Sequence, residues 1–197
     1  MVSNPFIIVY FLGILIGSII RVKYTKPYKD NKIKTDHKTI IDKILMTLPG
    51  IGMFILPLLY VSSSWFDFAG YNLPQWAGWI GIALFVLMLW MLWRSHYDLR
   101  SNWAPSLQIM ENHLLVTHGV YKYVRHPMYA AHLLWGIAQP LLLQNWIVGL
   151  SMLVTLLPLY FYRIPREERM MLDHFGEKYR NYMGQTDRII LPMRKLK

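Results

Sequence analysis

From residue 4 to residue 20 nearly every position is apolar, and Arg21 closes the run. Residues 44–62 and 76–93 form two more runs of similar length. Crossing a bilayer takes roughly 20 mostly apolar residues, so each run predicts a membrane-spanning helix. The first run carries no positive charge ahead of it, so it reads as a helix rather than a cleaved leader. The second holds Pro49, Gly50, Gly52 and Pro57. A helix inside a bundle tolerates such breakers, because neighbours satisfy the freed backbone groups. Trp76, Trp79, Trp90 and Trp93 sit near the ends of the third, where indole rings anchor at the interface. Residues 94–126 are mixed and too polar to cross. Pro127 suits a helix start, where its missing N–H is not needed. Residues 128–143 and 146–162 then read as a helical hairpin around Gln144-Asn145, closed by Arg163. Pro165 predicts a separate helix over 166–183, with Met171, Phe175, Tyr179 and Tyr182 on one face and Gly184 as its stop.

The expected fold is therefore all-α. It is an integral membrane protein with about five spans, the last two a hairpin, plus a cytoplasmic loop and a C-terminal helix covering the site. The chain reads as one domain over 1–197: three spans in 1–93, then loop, hairpin and terminal helix in 94–197.

Charge tests this layout. The net charge of +10 suits either nucleic acid or anionic lipid, and the 54% hydrophobic content favours lipid. Placement decides between them. The loop at 21–43 holds eight Lys/Arg, residues 94–126 hold four, and the tail from Arg163 holds nine, which accounts for all 21. With five spans, every cation falls on one side. The positive-inside rule then puts the N-terminus outside and the C-terminus in the cytoplasm. A soluble nucleic-acid binder has no reason to segregate charge this way.

Cysteine is absent, which excludes disulfides and thiolate metal sites. His113 and His118 are five apart and His126 and His132 six apart, with no HExxH, so no metal site is expected. His132, inside a span, is expected to hydrogen-bond a neighbouring helix. No GxGxxG, no GxxxxGK[ST] and no serine or cysteine triad occurs.

The densest chemistry lies in residues 117–129, where Gly119, Tyr121, Arg125, His126, Pro127 and Tyr129 crowd together before an apolar run. Interfacial anchoring and headgroup binding account for such residues singly. Their clustering points instead to the edge of a ligand site. Arg163, Glu167 and Glu168 form a second cluster where the last span meets water. Arg163 and Glu167 are four apart and suit a helix-surface ion pair. An arginine there also grips a carboxylate or phosphate in bidentate fashion, while a glutamate holds a cation. Both signs at a lipid boundary suit a zwitterionic cofactor and an anionic, lipid-borne acceptor. With little acid–base machinery in sight, methyl transfer from a sulfonium fits. Its demands are collinear positioning and exclusion of water, and a carboxylate acceptor needs no base.

At these residues the chain resembles the isoprenylcysteine carboxyl methyltransferase family, especially its short archaeal members. The resemblance runs from about Asp98 to Pro192. It rests on Asn102-Trp103, on 113–121, on Arg125-His126-Pro127-Met128-Tyr129, and on Glu167-Glu168 followed by Leu172, Phe175-Gly176, Tyr179 and Tyr182. Arg100 departs from the family, which commonly has glycine after the leucine that is Leu99 here. The resemblance implies S-adenosyl-L-methionine bound on the cytoplasmic side beneath loop and tail. It implies a cofactor pocket lined by Gln108, His113, Leu114, Leu115, Val116, Tyr121, His126, Pro127, Met128, Tyr129 and Glu167. Arg163 would hold the acceptor carboxylate, and Arg163 and Glu167 would be the catalytic residues. The acceptor would be a lipophilic, prenylcysteine-like carboxylate entering from the bilayer. No nucleic acid and no metal take part. The absence of the extra N-terminal spans of eukaryotic members favours a prokaryotic cell membrane. Two alternatives stand beside this: a phospholipid N-methyltransferase, which shares these C-terminal motifs but needs a proton acceptor for its amine, and a basic scaffold that only binds anionic lipids.

Overall fold

A computed structural model describes residues 5–29, 32–37 and 39–189. The elements are α1 (Pro5–Lys29), β1 (Ile33–Asp36), α2 (Ile40–Gly50), a π-helical turn (Ile51–Ile55), α3 (Leu56–Ser62), α4 (Gln75–Leu99), β2 (Gln108–Met110), α5 (Pro127–Leu143), α6 (Trp146–Phe175) and α7 (Glu177–Gln185). Four stretches among the described residues are long and apolar enough to cross a membrane: Pro5–Thr25, Ile40–Ser62, Gln75–Asn102 and Trp146–Phe175. Helix α5 has 17 residues, about 26 Å of helix, at the lower end of a crossing length. The membrane-type helical architecture is as expected.

Between helices in lipid there is little water to expel, so packing and hydrogen bonds hold them together. Both are visible where α1, α4 and α5 meet. Tyr10 stacks on Phe85 with ring centroids 5.4 Å apart, and Phe85 meets Trp135 edge-on at 5.2 Å. The prolines of the second span explain its π turn. Pro57 has no N–H, and the Leu56 N–H reaches back five residues to the Ile51 carbonyl. The carbonyls this leaves over find partners on other helices. The Gly52 oxygen accepts from Gln139 Nε2 (3.0 Å) and Ser151 Oγ (2.7 Å), and the Tyr10 hydroxyl lies 2.6 Å from the Met53 oxygen. A Cβ on Gly52 would meet the Ser151 carbonyl at 2.6 Å, so only glycine allows this approach.

Three sequence expectations need correction. Helix α1 does not stop at Arg21 but runs to Lys29, because charge ends a span without ending a helix that Lys and Arg favour. Helix α4 likewise continues through Arg94 to Leu99, supported by the Arg94–Asp98 ion pair one turn apart (3.1 Å). Pro165 starts no new helix: α6 passes through Pro158 and Pro165 for 30 residues and breaks at Gly176, whose φ of 56° glycine adopts without strain. The expected single face of Met171, Phe175, Tyr179 and Tyr182 is thus split between α6 and α7, and Gly184 lies inside α7 one residue before its end. To the helical layout, which is as expected, the structure adds a small antiparallel sheet, in which Ile33 pairs with Met110 and Asp36 with Gln108. It ties the stretch after α1 to the central loop.

The hairpin turn is as expected. Gln144 takes a left-handed conformation (φ 51°), and the Asn145 side chain caps α6 by accepting the Val148 N–H (3.0 Å).

Candidate functional site

A cavity of about 250 Å³ opens at the end of the bundle where the charged loops gather, with walls from α1, α2, α5, α6, α7 and the loop between α4 and α5. The twelve residues assigned to cofactor, acceptor or catalysis from sequence all line it: Gln108, His113, Leu114, Leu115, Val116, Tyr121, His126, Pro127, Met128, Tyr129, Arg163 and Glu167; Gly119 and Glu168, from the same two clusters, do not.

The loop wall is built on Asp98. Its carboxylate accepts the Val120 N–H (2.9 Å) beside Gly119, whose φ is 61° and where a Cβ would run into that carboxylate. Glycine is thus required twice, for conformation and for space. The turn sets Tyr121 into the wall, where its carbonyl accepts from the Tyr182 hydroxyl (2.5 Å). Asn102 Oδ1 accepts the Leu114 N–H (2.7 Å), fixing the strand of backbone at 113–116. Gln108 is buried and donates to Asp36 across the sheet (2.9 Å). Arg100 turns the chain after α4 with a φ of 49°, its guanidinium over the Tyr97 ring at 5.5 Å.

Glu167 and Glu168, adjacent in sequence, have opposite surroundings. Glu168 is buried and saturated. Its Oε1 accepts from Arg125 Nε and Nη2 (3.1 and 2.9 Å), and its Oε2 from Arg188 Nε and Nη2 (2.9 and 2.7 Å). His126 Nε2 lies 3.4 Å from the same Oε1. Arg125 also donates to the carbonyls of Met183 and Thr186, and the Arg125 and His126 N–H groups donate to Asp187 and Arg188 (2.8 and 2.9 Å). Glu168 therefore clasps the segment after α7 onto the 117–129 stretch. Glu167 instead faces the cavity, its side chain 31% exposed. Tyr129 donates to its Oε2 at 3.3 Å, Arg163 Nε stands 3.8 Å from that oxygen, and His126 Nδ1 is 4.0 Å from Oε1. Glu167 keeps capacity for a cation.

Arg163 is buried, with 8% of its surface exposed. Its Nη2 donates to the Pro105 carbonyl (3.0 Å), while its Nε has no hydrogen-bond partner among the described residues. A buried guanidinium N–H without an acceptor is costly and calls for an anion. His113 Nδ1 is likewise buried and unpartnered. Burial, and then the neighbouring His174, push the His113 pKa down to about 4, so its ring is neutral at pH 7. Burial pushes Tyr121 well above the ordinary phenol value, and Tyr182 up to about 12, so both stay protonated and neither serves as a base at neutral pH.

Sequence reasoning left several lining residues out of the site. Asn102, Trp103, Tyr179 and Tyr182 belong to the recurring motifs and could have been included on that ground. Arg21, Met46, Pro49, Met53 and His132 come from helices whose contacts no local pattern reveals. No group of three His, Asp or Glu side chains among the described residues is arranged to hold a metal.

An apolar helical bundle whose charged end encloses a cavity of both signs defines an integral membrane protein with an interfacial ligand site. Residues 79–173, just under half of the chain, match the model of the isoprenylcysteine carboxyl methyltransferase family. Protein-S-isoprenylcysteine O-methyltransferase of Schizosaccharomyces pombe is 38% identical over 72 residues, which are 36% of this chain and 30% of that protein. The Homo sapiens protein of the same name is 30% identical over 129 residues, 61% of this chain and 45% of the human one. A solved eukaryotic intramembrane Ras methyltransferase of this family is similar at 25% identity and a TM-score of 0.49, over 80% of this chain and 54% of that one. The chain spans less than half the length of the curated relatives just described.

Proposed function

We propose that this protein transfers a methyl group from S-adenosyl-L-methionine to the carboxylate of a lipophilic, prenylcysteine-like acceptor. The observation that carries the reading is one cavity with Glu167 open to a cation and, one helical turn away, a buried Arg163 guanidinium lacking an acceptor for its Nε. The curated relatives, named as O-methyltransferases of isoprenylcysteine, support the same chemistry.

The residues fit a zwitterionic cofactor. The orphaned Nδ1 of neutral His113 offers a polar contact, and Glu167 offers negative charge beside aromatic walls. Gln108, His113, Leu114, Leu115, Val116, Tyr121, His126, Pro127, Met128 and Tyr129 would hold it, with Glu167 touching it from α6. When bound, S-adenosyl-L-methionine supplies an electrophilic methyl on a cationic sulfur. Arg163 holds the acceptor carboxylate, which attacks already ionised, so no residue has to remove a proton. Tyr129 and His126 aim Glu167, and the apolar residues of α2 and α6 keep water out, which strengthens every charge interaction in the cavity.

The acceptor enters from the bilayer with its chain among the helices. With α5 counted as a crossing, the charge distribution favours an N-terminus outside and a C-terminus in the cytoplasm. Titration of the purified protein with S-adenosylhomocysteine tests the cofactor half. Saturable binding is expected in wild type, with at least a tenfold loss in Glu167→Ala and His126→Ala. Undiminished binding in both variants refutes it.

A further inference from the structure

Among the described residues that line the cavity, Arg21 is a cation that the proposed mechanism leaves without work. It lies on α1, outside the matched region 79–173, yet it lines the same cavity as Arg163. Tyr129 and His132 line the cavity beside the two guanidiniums. Neither is a carboxylate. Among the described residues no acidic side chain comes within salt-bridge distance of Arg21. The nearby acids are engaged elsewhere: Glu167 with Tyr129 and Arg163, Glu168 with Arg125 and Arg188, Asp98 with Arg94, Asp42 with Arg166. His132 brings no negative charge either. Its Nδ1 lies 2.7 Å from the Met128 carbonyl, which can only accept, so the ring is anchored as a donor there. Arg21 is itself an exposed residue, so the protein does not wall its surface off.

Two like charges face one cavity, and Glu167 stands within ion-pair distance of Arg163 and not of Arg21, so an anion completes the site. We propose that Arg21 and Arg163 together hold the anionic head of the acceptor, a carboxylate, from two walls of the cavity, which makes Arg21 a specificity-determining residue. This rests on the reading of Arg163 as the acceptor site. Arg163 takes the carboxylate from α6 and Arg21 takes it from α1, so each oxygen meets a guanidinium. A methyl ester, the product form, has lost the charge that both arginines hold. The pair therefore favours acid over ester and releases the product.

The test compares equilibrium binding of N-acetyl-S-farnesylcysteine and its methyl ester to the full chain in lipid nanodiscs. Wild type is expected to prefer the acid at least tenfold. Arg21→Gln and Arg163→Gln each cut that preference at least threefold, while affinity for the ester and for S-adenosylhomocysteine stays within twofold. If Arg21→Gln keeps the full preference and Arg163→Gln loses it, Arg21 merely reaches for lipid headgroups, and this inference falls while the acceptor reading stands. No preference in wild type overturns both. A measurement on the unaltered protein covers the case of a variant that fails to insert. Saturating acid slows phenylglyoxal modification of Arg21, read by mass spectrometry, at least severalfold more than saturating ester does. Equal protection by the two overturns the proposal.

Discussion

Two polar regions of this bundle are built on opposite terms. In the middle of the helices, Gln139 has no exposed surface, and its Nε2 lies 3.0 Å from the Gly52 carbonyl, 2.7 Å from that of Val148 and 3.1 Å from Ser151 Oγ. Its Oε1 is 3.0 Å from the Tyr10 hydroxyl, to which Trp135 Nε1 donates at 3.2 Å. Every group in this knot has a partner, and the knot joins α1, the π turn, α5 and α6. At the charged end, Arg163 Nε and His113 Nδ1 are buried without partners and Glu167 is half-engaged. Low dielectric strengthens satisfied networks and penalises unsatisfied ones. The first region therefore holds the bundle together, and the second stores its need for a ligand.

The comparison breaks most visibly at Arg163. Arg163→Gln is expected to lower kcat/KM for a prenylcysteine acceptor by about 10²–10³, or ~3–4 kcal/mol of transition-state binding. It should leave thermal stability almost unchanged, because the arginine it removes is under-satisfied. A melting temperature that collapses with the activity would mean that Arg163 is structural. Glu168→Gln should do the reverse of a cavity change. It costs about 2–3 kcal/mol of stability, most of it from the buried Arg125 and little from Arg188, which is half exposed. Limited proteolysis should then cut the unlatched segment after α7 faster than in wild type. Gln139→Leu should cost about 1–2 kcal/mol in chemical unfolding, with S-adenosylhomocysteine affinity unmoved.

His113 gives a pH signature. Its folded pKa of about 4 lies below the free value of 6.5, so its contribution to stability is complete above 6.5. That contribution is lost as pH falls from 6.5 toward 4, since the unfolded chain takes up the proton first. Comparing melting curves of wild type and His113→Asn between pH 4 and 7 checks this, and the variant should show the shallower decline. The smallest effect sits outside both regions. Arg100→Gly should raise stability by about 1 kcal/mol by relieving a positive φ, with activity unchanged.

Much of this organisation is legible in the chain because it is local. Apolar runs mark the spans, cations mark one end, and the motifs from Asn102 to Glu167 carry the residues that converge on one cavity. The Gln144-Asn145 turn is equally local. What escapes reading depends on contacts distant in sequence. The four residues of β1 are all exposed and show no alternation, so only their partner Gln108–Met110 makes them a strand. Pro165 resembles a helix start, but packing carries α6 through it to Gly176. Arg21 looks like the basic end of a span, and its place in the cavity depends on how α1 packs against the rest of the bundle.

The central claim is that the cavity sets a sulfonium against a lipid carboxylate. The direct measurement incubates the purified protein in nanodiscs with methyl-labelled S-adenosyl-L-methionine and either N-acetyl-S-farnesylcysteine or phosphatidylethanolamine. Label is expected in the farnesylcysteine product as an ester that alkali releases as methanol. Alkali-stable label on phosphatidylethanolamine, or no transfer to the carboxylate by a protein that binds S-adenosylhomocysteine, would contradict it.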